Sequence, residues 1–138
     1  MSVLVLIGRI LFVAIFLASA LGHLTQTRAM AGYAESKGVP FAKVLVPGTG
    51  VLLGVGGLMV LLGVWADLGA LLLLVFLVPT ALMMHPFWKE QDQQARQNEM
   101  IQFNKDISLG GAALTLFAFF AYVEDLGLTI TGPLFGLG

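Results

Sequence analysis

The sequence predicts an all-α protein, a four-helix transmembrane bundle with a short interfacial helix after the first span. Two observations carry this. Of the 138 residues 58% are apolar and only 11% charged, with a mean hydropathy of +0.93. Soluble domains hold roughly 25% charged and 45–50% apolar residues, so the chain is built for another solvent. The apolar residues also gather into four runs, at about 3–22, 44–65, 68–85 and 107–123. Each is close to the roughly 20 residues with which a helix crosses a bilayer. Inside lipid every backbone N–H must be satisfied within its own segment, so the runs read as helices rather than strands. The length fits a single domain.

Charge and cysteine count narrow the function classes. A net charge of -1 gives no basic field, which excludes nucleic acid as an expected partner. The chain has no cysteine, so disulfides, thiolate metal sites and CxxC redox chemistry are absent from it.

The first run contains one charge, Arg9, and no basic residue precedes it, so it reads as a span rather than a cleaved leader. The loop "TQTRAMAGYAESKGVP" follows. Thr25 or Thr27 is placed to cap a helix, Gly38 and Pro40 to stop it, and Met30, Tyr33, Ala34 and Lys37 fall at helical spacing. A short helix on the membrane surface is expected there. The second span is glycine-rich, and the turn to the third is expected at Ala66–Asp67. The third ends at Pro86, which lacks the N–H to continue the ladder. Phe87 and Trp88 stand at the headgroup level, where amphipathic rings prefer to lie. Pro79, within this span, is expected to bend it. The segment "KEQDQQARQNEMIQFNK" offers an i,i+4 pair, Asp92 and Arg96, and reads as a solvated helical lead-in to the fourth span.

With four spans, both polar loops share one face and the termini share the other. Arg28, Lys37, Lys43, Lys89, Arg96 and Lys105 lie on the loop face, and Arg9 alone among the basic residues on the other. The positive-inside rule then makes the loop face cytoplasmic. Small residues mark close helix approach: Ala14, Ala18 and Gly22 in the first span, Gly50, Gly54 and Gly57 in the second. One such stripe could instead face a partner protein.

Few polar groups are left for chemistry. Arg9 is costly inside a span, and Asp67, Glu124 and Asp125 on the same side are its expected ion-pair partners. His23 and His85 end the first and third spans at one depth. With Trp88, Lys105 and Asp106 they form a candidate ligand-binding group. Two histidines are too few for a metal site, and no nucleophile–base pair or phosphate loop is present, so neither metal nor catalytic residues are predicted.

Taken in order, "GRILFVAIFLASALGHLT", "YAESKGVP", "GVGGLMVLLGVWADLGALLLL", "MHPFW" and "QFNKDISLGGAAL" resemble the DoxX family of small bacterial membrane proteins. The resemblance implies a four-helix bundle in the bacterial plasma membrane and association with redox complexes, since the family is named after a subunit of a thiosulfate:quinone oxidoreductase. Arg9, Gly22, His23, Gly38, Pro40, Gly57, Gly63, His85, Trp88 and Lys105 match its recurrent positions. Leu53 stands where members often carry a glutamate, and Asp106 where they carry asparagine, which weakens any proton-relay role. The expected function is that of an accessory subunit of a redox or respiratory membrane complex, contacting lipid and a larger protein assembly, with no cofactor or catalysis of its own. The alternative is a quinone-interacting subunit, with quinone or lipid bound at its surface. Transport would call for paired polar groups near the midplane, which are lacking.

Overall fold

The computed structural model describes residues 1–138. It is all helical: α1 (Ser2–Thr25), α2 (Thr27–Ser36), α3 (Ala42–Leu62), α4 (Ala66–Met84), a single 3₁₀ turn at Phe87–Lys89, and α5 (Gln93–Tyr122). Three segments are long and apolar enough to cross a membrane: α1, α3, and α4 with the turn that follows it. Helix α5 is not among them. Its first half is polar, and its apolar part runs only from Ile107 to Tyr122, short of the roughly 20 residues a span wants.

α1 packs on α3, α3 on α4, and α4 on α5, while α2 lies against α3. The buried residues of α1 are Arg9, Val13, Phe16, Ala20 and His23. They recur every three or four positions, a single stripe turned to the interior. Val13, Phe16, Leu53, Val60, Leu73, Leu77 and Phe120 form the core between the helices. Leu53 is fully buried there.

Glycines set the helix spacing. A Cβ at Gly50 would lie 2.8 Å from the His23 Cβ, one at Gly57 2.9 Å from Leu17, and one at Gly54 3.7 Å from Ala20. These three therefore face α1 inside the fold. The α3–α4 seam depends on a different pair, Gly56 and Gly69, which the sequence reading did not single out. A Cβ on Gly69 would stand 2.9 Å from the Gly56 carbonyl oxygen and 2.8 Å from the Met59 Cβ. Ala14 and Ala18 are exposed, and Gly22 is half-buried beside Met30.

Several local expectations change. Neither Thr25 nor Thr27 caps α2, which has no side-chain cap. Their hydroxyls instead donate to the carbonyls of Leu21 and His23 at the end of α1, each at 2.6 Å. Ala66 and Asp67 are the first residues of α4, buried in the bundle, and the turn is Gly63–Trp65. Gly63 (φ 67°) takes the left-handed conformation that ends α3. Asp92 does not pair with Arg96. Its carboxylate accepts from the Ala95 N–H at 2.8 Å and caps α5, satisfying a donor that helix starts leave open.

After α5 the chain folds back across the termini end of the bundle. The N–H groups of Ile130 and Thr131 donate to the Gly63 carbonyl, at 3.0 and 2.9 Å, and Trp65 N–H donates to the Thr131 hydroxyl at 2.8 Å. Asp67, with no exposed surface, accepts from Leu134 N–H (3.0 and 2.9 Å) and Phe135 N–H (2.8 Å). Gly69→Val should lower the unfolding temperature in detergent, since overpacking a tight seam costs about 1–3 kcal/mol. Gly111→Val, where an added Cβ meets nothing within 4 Å, should leave that temperature nearly unchanged.

Candidate functional site

The two ends of the bundle treat their charges differently. At the termini end Arg9 is 1% exposed and has no acid within ion-pair distance, so the expected pair with Asp67, Glu124 or Asp125 does not form. Its guanidinium donates to backbone instead: Nε to the Val60 carbonyl at 2.8 Å, Nη1 to that of Leu128 at 2.9 Å, and Nη2 to that of Leu61. Helix C-termini leave their last four carbonyls without partners. Here Met59 accepts from the Val64 N–H and Leu62 from that of Ile130, while Arg9 takes the two between. Positive charge there also suits the negative end of the helix dipole. Arg9 is a structural residue.

At the loop end the chain brings His85, Lys105 and Asp106 together. The His85 Nδ1 lies 2.8 Å from a Glu99 carboxylate oxygen, and its Nε2 lies 3.7 Å from Asp106 Oδ2. Lys105 Nζ is 3.6 Å from Asp106 Oδ1 and donates to Gln102 at 2.6 Å. Glu99 is anchored on its other side by Lys37 at 3.1 Å, and Lys37 also stands 3.7 Å from Glu90. The segment read as a solvated face thus turns one acid inward. The sequence reading missed Lys37, Glu90 and Glu99. A signal for Glu99 was present, because Glu99, Phe103 and Asp106 recur at four and three residues on one face of α5. No local pattern ties Lys37 to them.

Glu99 and Asp106 are driven in opposite directions. Burial alone would raise Glu99, but hydrogen bonds from His85 and Lys37, with their positive charge, outweigh it and hold the carboxyl below the ordinary range. For Lys37 burial opposes the charge, and Glu99 overrides it to raise the ammonium. Asp106 is raised, chiefly by burial, against the opposing pull of Lys105 and His85. With Glu99 ionised, His85 donates through Nδ1–H, so in the neutral ring Nε2 is left as the acceptor facing Asp106. At 3.7 Å that pair is too long for a direct hydrogen bond.

Trp88 stands beside this group, 49% exposed. It packs edge-on to Phe87 and Phe103, with centroids 5.2 and 5.8 Å away. Phe87 and Phe103 are themselves 5.3 Å apart. His23 is not linked to the group by any hydrogen bond or ion pair. Its Nδ1 lies 3.1 Å from the Val46 carbonyl and 3.0 Å from the Thr49 hydroxyl, and its ring meets Phe76 edge-on. A carbonyl only accepts, so Nδ1 carries the proton and His23 ties α1 to α3.

The family model described as DoxX matches residues 4–86. The matched residues cover α1 to α4 and end at Pro86, so Trp88, Glu99, Lys105 and Asp106 fall outside them. No curated protein and no solved structure matches the chain.

The sign of the Glu99 shift gives a pH dependence. A depressed carboxyl contributes stability above its unfolded value, about 4.3, and loses it as pH falls through the lower folded value. Hydrogen-exchange protection in the Gln93–Phe103 segment, the rate taken relative to the intrinsic rate at each pH, should therefore fall as the wild type is acidified below about pH 4. In Glu99→Gln protection should already be lower at neutral pH and should change less on acidification.

Proposed function

Because the chain belongs to the DoxX family, we propose that this multi-pass membrane protein serves as a small accessory subunit of a larger redox assembly in a bacterial plasma membrane. α5 is the fourth span in this reading. Its buried Gly110, Ala113 and Phe120 support this by lying with the bundle core along α4, and its polar first half projects past the surface. The loop face, with six of the seven basic residues, is then cytoplasmic. One observation supports the accessory role above others: α1 packs along a single stripe, and Ala14 and Ala18 are turned outward on its free side. Small side chains there let a partner helix approach closely, and in lipid such close packing drives association.

A second reading is favoured by the rim. His85 and Asp106 face each other at 3.7 Å without a direct hydrogen bond, and the Phe87–Trp88–Phe103 cluster adjoins them. Polar groups beside aromatic rings at the membrane surface suit a quinone head, a carbonyl oxygen accepting from the Lys105 ammonium. Electrons would be supplied by the partner, since the side chains of this rim carry none.

Purification from native membranes in mild detergent tests both. Ala18→Leu should strip the co-purifying proteins while leaving the helices folded, and retention of the full set would overturn the accessory reading. In the intact assembly, His85→Ala should lower bound quinone several-fold. An unchanged quinone content would remove the second reading.

A further inference from the structure

Between α1 and α5 the bundle is not closed by packing. A cleft of about 430 Å³ lies there, lined by Gly8, Arg9 and Phe12 of α1 and by Ala112, Thr115 and Leu116 of α5. The two helices run antiparallel, so Gly8 stands level with Leu116 and Phe12 with Ala112. The cleft thus lies in the half of the membrane nearer the termini. Its walls are low because the side chains are small: Gly8 and Ala112 are exposed, and a Cβ on Gly8 would meet nothing within 4 Å. The volume falls in the range of ordinary ligand sites.

Electrostatics says what should enter. Arg9 lines this cleft and carries a full positive charge, buried and answered only by neutral carbonyls. Its guanidinium is drawn toward the end of α3 and the Leu128 carbonyl, which is the membrane surface on that side. Three of its five N–H groups are used. None of the acids of this face pairs with Arg9: Asp67 is buried on the Leu134 and Phe135 N–H groups, Asp125 accepts from the Gly127 N–H, and Glu124 and Asp125 are exposed. We propose that the α1–α5 cleft holds one acyl chain of an anionic phospholipid from the termini-side leaflet, with its phosphate attracted to Arg9. The lipid closes the fourth seam of the bundle and gives Arg9 the direct ionic partner that no acid of the chain provides. This inference stands apart from the accessory reading, because its cleft is separate from the outer Ala14–Ala18 side of α1.

Native mass spectrometry on delipidated protein, titrated with phosphatidylglycerol or phosphatidylcholine, tests it. The wild type should bind one phosphatidylglycerol, preferred about fivefold, which is the scale of one basic group near an anionic headgroup. Arg9→Gln would also disturb the end of α3, so Ala112→Phe and Gly8→Leu are the informative variants. Both fill the cleft and leave Arg9 in place. Each should lose the bound lipid while keeping its helix content. Equal binding of the two lipids, undiminished binding in the filled variants, or a second protein chain seated against the cleft would each overturn the proposal.

Discussion

Arg9 holds the termini end of this bundle together. A guanidinium within an apolar helix is costly unless every N–H that points inward finds an acceptor. The end of α3 has the reverse problem, buried carbonyls that its own helix leaves without a donor. Each solves the other's difficulty. One planar fork spans Val60 and Leu61 on α3 and reaches Leu128 in the returning chain. It thereby joins the first helix, the second span and the C-terminal segment at one point. Asp67 repeats the device with the opposite sign, accepting the backbone N–H groups of Leu134 and Phe135. Two buried charges of opposite sign sit at the same end and neither pairs with the other.

That division has a functional consequence. The termini end commits its charges to backbone, which fixes geometry and leaves little free to react. The loop end keeps side chains facing one another: Lys37, Glu99, His85 and Asp106 in sequence, from a firmly paired carboxylate to a buried one 6% exposed. Strong pairing at Glu99 fixes the orientation of the imidazole. Weak, long contacts at Asp106 leave its carboxyl available. The rim therefore holds the side chains on which the proposed quinone reading rests, and the cleft at the other end holds the space on which the proposed lipid site rests.

The apolar helices, the stop before Pro86 and the short helix α2 were legible because they depend on local properties, hydropathy length and the missing N–H of proline. The partners of the charges were not. Composition and connectivity placed Arg9 beside three acids, but backbone carbonyls have no letter in a sequence, so their claim on a guanidinium is invisible there. Asp92 was read as half of an ion pair, yet the helix start offered it a nearer donor in Ala95 N–H. His23 and His85 were placed at one depth from span lengths alone. The side chains face different neighbours, since the direction in which His23 leaves its helix carries it into the Gly50 notch on α3. The fourth apolar run, read over 107–123, lies in α5 behind the polar turns that hold Glu99 and Asp106, and it is not among the three helices long and apolar enough to cross a membrane.

The account depends on Arg9 acting as a fork to backbone oxygens rather than as a bare charge. The most direct measurement is thermal unfolding of Arg9→Lys and Arg9→Gln beside the wild type in one lipid nanodisc. A lysine keeps the charge but offers a single ammonium that cannot span three carbonyls. Lysine is predicted to fall close to glutamine, both well below the wild type, with about 2 kcal/mol or more lost to unsatisfied buried carbonyls. Full rescue by lysine would contradict the account and show that charge alone is what the bundle needs at that position.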